Sequence, residues 1–306
     1  MPIRIAIIGY GKIARDQHIP SIAADSRFEL VAISTRSADP VLGLPCFADP
    51  AELFDRMKGR LDAVAICTPP SVRHAIARAA LRAGLAVLLE KPPAATLGEI
   101  EDLERLARAA GRTLYAGWHS QHAAGVPRAA GLLAGQRVAR LRISWLEDVR
   151  KWHPGQEWIW SAGGFGVFDP GINALSIATR ILPMPLFVTK ARLLVPANKQ
   201  APIAAALTFQ GGDMRAELDW RYEEGEQWTI RVETEAGCKL ELRDGGAKLL
   251  VDGAEQPLEA RGEYPSIYNR FAELIADQAT EVDREPLRIV ADAYLVGERE
   301  LTDPFE

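Results

Sequence analysis

Lys91 is the first residue of this chain whose type and place point to chemistry. It follows an apolar run, 86–89, and Glu90, and is itself followed by Pro92, so a strand ending there sets its amine at the strand's carboxyl end, where parallel sheets bind ligands. A lysine that is desolvated or set beside another cation gives up its proton far more readily than a free one, which arginine does not do. The chain uses only eight lysines among 36 basic residues, so a lysine at this place carries information. The plain alternative is a surface lysine closing the strand. Asp169 and Asn173 form a second group within Gly163-Gly164-Phe165-Gly166-Val167-Phe168-Asp169-Pro170-Gly171-Ile172-Asn173. If Pro170 opens a helix, Asp169 is its natural N-cap and Asn173 lies one turn on. That spacing suits a cap with an exposed amide as well as a pair of polar groups facing a substrate.

The third group is a loop. Gly9-Tyr10-Gly11-Lys12-Ile13-Ala14 reads G-x-G-x-x-A directly after the apolar run 4–8. Gly9 permits the tight turn, Gly11 leaves the approach to a pyrophosphate open, and Ala14 lets the following helix pack closely on its strand. The phosphates of a dinucleotide then rest on the helix N-terminus, beside Lys12 and Ile13. At the end of the next strand-like run, 28–34, no carboxylate stands ready for a ribose: Glu29 is at its start and Asp39 is past its end. Arg36, with the hydroxyls of Ser34, Thr35 and Ser37, suits a 2′-phosphate instead, because guanidinium makes paired charge-assisted bonds to phosphate. This predicts NADP as the preferred cofactor with NAD also accepted.

These groups need a scaffold, and the pattern supplies one. Strand-like runs at 4–8, 28–34, 63–67, 86–89 and 113–116 alternate with helical stretches at 50–57, 71–83 and 97–110. Strict alternation implies a parallel sheet wrapped by helices, so residues 1–118 read as a Rossmann-type dinucleotide-binding domain. All seven tryptophans lie beyond residue 117, which marks a change of domain there.

With 306 residues, 48% apolar and 25% charged, the chain has the length for two globular domains and neither a disordered nor a membrane-spanning composition. A formal net charge of −5 provides no field for nucleic acid. Cys46, Cys67 and Cys238 are odd in number and lack metal-ligand spacing, and the first residues carry no signal-peptide pattern, so a cytoplasmic protein with reduced thiols is expected. His119, His122 and His153 are not spaced as metal ligands, and no metal is expected.

Three motifs in order, Gly9 to Ala14, then Cys67-Thr68-Pro69-Pro70-Ser71-Val72-Arg73-His74, then Glu90-Lys91-Pro92, resemble those of the glucose-fructose oxidoreductase/inositol dehydrogenase (Gfo/Idh/MocA) family. The resemblance implies that Thr68, Pro69, His74, Glu90 and Lys91 also contact the cofactor. It further implies that residues 119–306 form an α+β domain with an open antiparallel sheet, giving α/β plus α+β overall. That domain would bind the substrate and form a homodimer through its sheet. Most members end the second-domain motif in histidine, whereas this chain has Asn173. In that respect, in Trp118-His119-Ser120 and in Glu147 followed by Trp152-His153, it is similar to the branch that oxidises L-arabinose, D-galactose and D-fucose, and Tyr264-Pro265-Ser266-Ile267-Tyr268 adds to the match.

The resemblance implies oxidation of an aldopyranose at its anomeric carbon to the aldonolactone, with Lys91, Asp169 and Asn173 catalytic. An amide exchanges no proton near neutrality, so a histidine-type acid-base relay at position 173 is excluded and the base is Lys91, Asp169 or a water between them. His119, Glu147, Trp152, His153 and Trp228 complete the expected sugar site with those three, although from sequence alone Glu147 in the strand-like 141–147 could equally face solvent. The alternatives are another sugar, polyol or diol dehydrogenase of the family, a keto-sugar reductase, and a non-catalytic NADP-binding regulator.

Overall fold

The structure is a computed structural model describing residues 1–36, 42–259 and 261–306. Ser37 and Asp39 therefore lie outside the described residues. The chain divides into two units, Met1–His119 with Tyr264–Arg284, and Ser120–Glu263 with Glu285–Glu306.

In the first unit β1 (Ile3–Ile8) is central, and Ile5, Ala6, Ile7 and Ile8 are fully buried, as an unbroken apolar run between two layers requires. A helical turn at Ala14–His18 with π geometry leads into α1 (Ile19–Ala24) and β2 (Phe28–Ser34). The two-residue β3 (Cys46–Phe47), α2 (Pro50–Arg56), β4 (Ala63–Ile66), α3 (Pro70–Arg82), β5 (Ala86–Glu90), α4 (Leu97–Ala110) and β6 (Leu114–Gly117) follow. The six strands are all parallel in the order β3-β2-β1-β4-β5-β6. Local chemistry sets the helix starts. Asp49 caps α2 by accepting from the Ala51 amide at 2.9 Å ahead of Pro50, and Thr96 and Glu99 close a capping box on α4. Each strand and helix expected in this region is present, shifted by a residue at some ends; β3 and the π turn had no counterpart in the pattern.

The second unit starts with α5 (Val126–Leu133), β7 (Val138–Leu146), α6 (Val149–Trp152) and α7 (Phe168–Ile181). Then come β8 (Val188–Pro196), β9 (Ala204–Phe209), β10 (Asp213–Asp219), β11 (Gln227–Thr234), β12 (Lys239–Arg243), β13 (Lys248–Val251) and β14 (Ala254–Glu255). After α8 (Glu263–Ala276) the chain re-enters this unit as α9 (Glu285–Val296) and β15 (Gly297–Thr302). The nine strands run β14-β13-β12-β11-β7-β10-β9-β8-β15. The sheet is mixed and mostly antiparallel: β7 with β10 and β8 with β15 are parallel pairs, a detail the expected antiparallel sheet lacked.

Residues along its central strands β7, β10, β11 and β12 alternate. Leu141, Ile143, Met214, Leu218, Ile230 and Val232 are buried, and α7 packs against this face. Their neighbours Arg140, Arg142, Asp213, Arg231, Glu233 and Glu241 point the other way and pair across strands, with Arg140 to Glu233 at 3.2 Å and Arg231 to Glu241 at 2.8 Å.

α8 belongs to the first unit, and the expected second domain of residues 119–306 is corrected accordingly. Tyr264, Ile267, Tyr268 and Phe271 recur at helical spacing and share one core with Ile5 and Ile7 of β1 and Leu88 of β5. Among the described residues no helix is long and apolar enough to cross a membrane.

Candidate active site

The nucleotide-binding loop starts where β1 ends. Gly9 has φ of +96°, and a Cβ there would sit 3.1 Å from the backbone of Cys67 and Thr68, so the turn admits only glycine. At Gly11 a Cβ would meet nothing within 4 Å, because that position faces an open cleft. The cleft, about 610 Å³, lies beyond the carboxyl ends of β1, β2 and β4, and Gly9, Gly11, Ser34, Thr35, Arg36 and Thr68 line it together with Pro69. The Thr68 hydroxyl is buried there with no hydrogen-bond partner among the described residues. An open approach at Gly11 and a hydroxyl in need of a partner fit a bound dinucleotide.

Five of the expected cofactor contacts, Lys12, Ile13, His74, Glu90 and Lys91, are not among the residues that line this cleft. The Lys12 ammonium pairs with Asp16 and is largely exposed, and Ile13 is exposed beside it; neither lines the cleft. His74 lies on α3 with its Nε2 3.0 Å from Asp102 of α4. Asp102 is also paired with Arg78 and Arg105, and hydrogen bonds from Arg78, Arg105 and His74 push its pKa down. His74 is thus part of a link between two helices, an arrangement that depends on α3 and α4 being neighbours and leaves no local mark in the sequence.

Glu90 and Lys91 end β5 in a tightly held turn. Glu90 is 5% exposed, and its Oε1 accepts from Tyr264 Oη at 2.7 Å and lies 2.9 Å from His18 Nε2. Its Oε2 accepts the Lys91 backbone N–H at 2.9 Å. The buried Arg73 guanidinium donates to the carbonyls of Thr68, Glu90 and Pro92. His18 in turn has Nδ1 2.8 Å from Tyr268 Oη, and His119 stacks on Tyr264 at 5.6 Å. Burial by itself would raise the Glu90 pKa, but the hydrogen bond and charge of His18, the charge of His119 and the Tyr264 hydroxyl bring it down to about 2. Burial also works against a charged His18, while Cys67, Tyr268 and Glu90 favour it, and its pKa is raised well above the ordinary imidazole value. Burial pushes the Tyr268 hydroxyl up to about 12. His18, Arg73 and Tyr268 carry no assigned role in the sequence motifs. The one available sign was the spacing of Tyr264 and Tyr268, which puts both on one face of a helix.

In the second unit the expected sugar residues gather around tryptophan. Glu147 is 3% exposed, which rules out its facing solvent: Oε1 accepts from Trp220 Nε1 at 3.2 Å and Oε2 from Trp228 Nε1 at 2.8 Å. Trp152, 44% exposed, tilts against Trp228 at 5.4 Å, and Trp145 stacks on the same indole at 5.8 Å. His153 packs on Trp220 at 5.2 Å and sets its Nε2 3.7 Å from Asp169 Oδ2. Asp169 is buried in the first turn of α7 and is not its cap, because the helix starts at Phe168 with Val167 as N-cap. Asn173 is half-buried one turn on. Trp220, fully buried between Glu147 and His153, is a member of this cluster that the sequence reading left out.

A parallel sheet in this order, with a glycine turn and an open cleft at its switch point, defines a dinucleotide-binding Rossmann protein. Residues 3–118 match the profile of GFO_IDH_MocA, an oxidoreductase family with an NAD-binding Rossmann fold. Over 307 aligned residues the chain is 44% identical to galactose 1-dehydrogenase of Pseudomonas fluorescens, and the alignment covers 99% of each. The crystal structure of D-galactose-1-dehydrogenase from Rhizobium etli superposes with a TM-score of 0.93 at 48% identity, over 100% of this chain and 98% of that one. The 3-ketoreductase KijD10 from Actinomadura kijaniata, solved with NADP and TDP-benzene, shares the fold at 19% identity and a TM-score of 0.83, covering 99% and 100%. The chain belongs to the Gfo/Idh/MocA family of oxidoreductases.

The Glu90 environment has a consequence for acid stability. The unfolded chain takes up a proton on Glu90 near the ordinary value of 4.5 and the folded chain only near 2, so this stabilisation is complete above 4.5 and is lost as pH falls toward 2. Urea unfolding of wild type and Glu90→Gln across that window is expected to show the wild type losing about 3 kcal/mol more. Equal losses would refute the assignment.

Proposed function

We propose that the protein is an aldose 1-dehydrogenase that takes the anomeric hydrogen of an aldopyranose as hydride and gives the aldonolactone. The observation that carries this reading is that the likeness to proteins named galactose 1-dehydrogenases runs through both units, where the substrate-side residues lie, and is not confined to the nucleotide-binding one. The bound dinucleotide supplies the hydride acceptor. The chain's own part is to orient the sugar and to take the anomeric hydroxyl proton. Lys91 or Asp169 takes that proton, and Asn173, which has none to exchange near neutrality, hydrogen-bonds the sugar or orients Asp169. His119, Glu147 and His153 meet ring hydroxyls, and Trp152 and Trp228 offer an aromatic face to the C–H side of the ring. A sugar hydroxyl left unpaired costs about 1–3 kcal/mol, which is how such a site sorts epimers. L-arabinose, D-galactose and D-fucose share stereochemistry from the first to the fourth carbon and suit one site.

Initial rates over a panel of aldoses and polyols test this. Turnover with D-galactose or L-arabinose is expected, and Lys91→Ala and Asp169→Ala are expected to lose at least about 100-fold in kcat with dinucleotide binding intact. Activity on polyols alone, or dinucleotide binding without turnover, would replace the reading with one of its rivals.

The finer cofactor reading is NADP over NAD. Arg36 lines the cleft, is exposed, and follows Ser34 and Thr35 where a NAD-specific chain places an acid. Arg36→Ala is expected to raise KM for NADP about tenfold or more while moving KM for NAD little. An unchanged ratio of the two constants would sink the preference.

The reading also includes a cytoplasmic homodimer formed through the open sheet face. That face carries rows of arginine and carboxylate, so the association would be electrostatic and salt would weaken it. Sedimentation is expected to show dimer at low salt and monomer at high salt. A monomer at every salt concentration would exclude the dimer.

A further inference from the structure

We propose that His18 is a positioning residue for Lys91, acting through the Glu90 carboxylate; this deepens the dehydrogenase reading above and rests on it. Lys91 follows the last residue of β5, so the peptide plane that leads into it fixes where its amine starts. The N–H of that plane is held by Glu90 Oε2 at 2.9 Å. The carbonyl side of the turn is held by Arg73, through the oxygens of Glu90 and Pro92. The Glu90 carboxylate is therefore half of a clamp on the turn, and it keeps that place only if its other oxygen is also fixed.

His18 does this from a distant part of the chain. It is 1% exposed, with Nε2 2.9 Å from Glu90 Oε1 and Nδ1 2.8 Å from Tyr268 Oη, so both ring nitrogens are engaged. As an imidazolium it donates at both, and the Tyr268 oxygen accepts. Tyr264 Oη donates to the same Glu90 oxygen at 2.7 Å. The backbone makes the approach possible. His18 closes the π-helical turn Ala14–His18, where the Ile19 amide donates to the Ala14 carbonyl. One extra residue in a turn rotates the downstream helix by about 100° relative to an unbroken α-helix. The same helical segment begins at the glycine loop, so one rigid piece of chain borders the nucleotide cleft at one end and braces the Lys91 turn at the other.

A packing role for His18 would affect stability alone, whereas a positioning role affects Lys91. The first readout needs no substrate: hydrogen-deuterium exchange of the Lys91 amide, resolved from the β5 amides by overlapping peptides and followed by Pro92 and Pro93, which carry no N–H. His18→Gln is expected to speed that exchange about tenfold with other β5 amides unmoved, and Tyr268→Phe, which removes only the oxygen on Nδ1, is expected to act in the same sense more weakly. The second readout is kinetic. His18→Gln is expected to lower kcat about tenfold to a hundredfold with KM for NADP within about threefold of wild type. In a Glu90→Gln background the same change is expected to add less than about threefold, because its route to Lys91 is already broken. Unchanged Lys91 exchange in both His18→Gln and Tyr268→Phe, or losses in kcat that multiply in the double variant, would overturn the proposal. If the wild type turns over no aldose, the dehydrogenase reading fails, and the exchange measurement still decides whether His18 positions Lys91.

Discussion

The first unit depends on one buried carboxylate. Glu90 ends the strand that leads to Lys91 and is almost wholly removed from water, and a charge in that position persists only when it is paired and hydrogen-bonded. Its partners come from three separated stretches of chain: His18 after the glycine loop, the Lys91 amide next to it, and Tyr264 at the start of α8. Satisfying the carboxylate therefore requires that the nucleotide loop's helix, the central sheet and a C-terminal helix be assembled together. The apolar face of α8, buried in the Rossmann core, is what carries Tyr264 to the carboxylate.

The second unit meets the same constraint differently. Glu147 is also buried, but its two oxygens take the indole N–H groups of Trp220 and Trp228. Indole donors carry no charge and bring large aromatic faces with them, so the carboxylate is fixed and the tryptophans are oriented at once. His153 leans on Trp220 and reaches toward Asp169, which links the tryptophan cluster to the first turn of α7. In both units a rigid polar anchor lies just behind residues that carry the proposed chemistry, the arrangement a site needs if its groups are to hold their geometry.

The Rossmann half was legible because its signals are local. Apolar runs four to seven residues long and the Gly9 turn act within a few residues and appear in the structure as expected, and the caps that start α2 and α4 are just as local. The candidate site was legible in part. Arg36, Thr68 and Pro69 do line the cleft, while His74 meets Asp102 of the neighbouring helix. Asp169 reads as a possible cap since Pro170 favours a helix start, but α7 begins earlier and takes Asp169 inside its first turn. The π turn that aims His18 inward has no propensity pattern to betray it.

The sequence by itself determined that strands and helices alternate over the first 118 residues into a dinucleotide-binding sheet, and which side chains are capable of proton transfer or sugar contact, because propensity, turn chemistry and periodicity are properties of neighbouring residues. Tertiary structure alone decided which polar groups are buried and with whom they are paired. Glu90 with His18, Glu147 with two tryptophans, and α8 with the first sheet are contacts between residues more than 70 positions apart. Their existence follows from the requirement that charges excluded from water find partners wherever the fold brings them, and no window of sequence contains both members of such a pair.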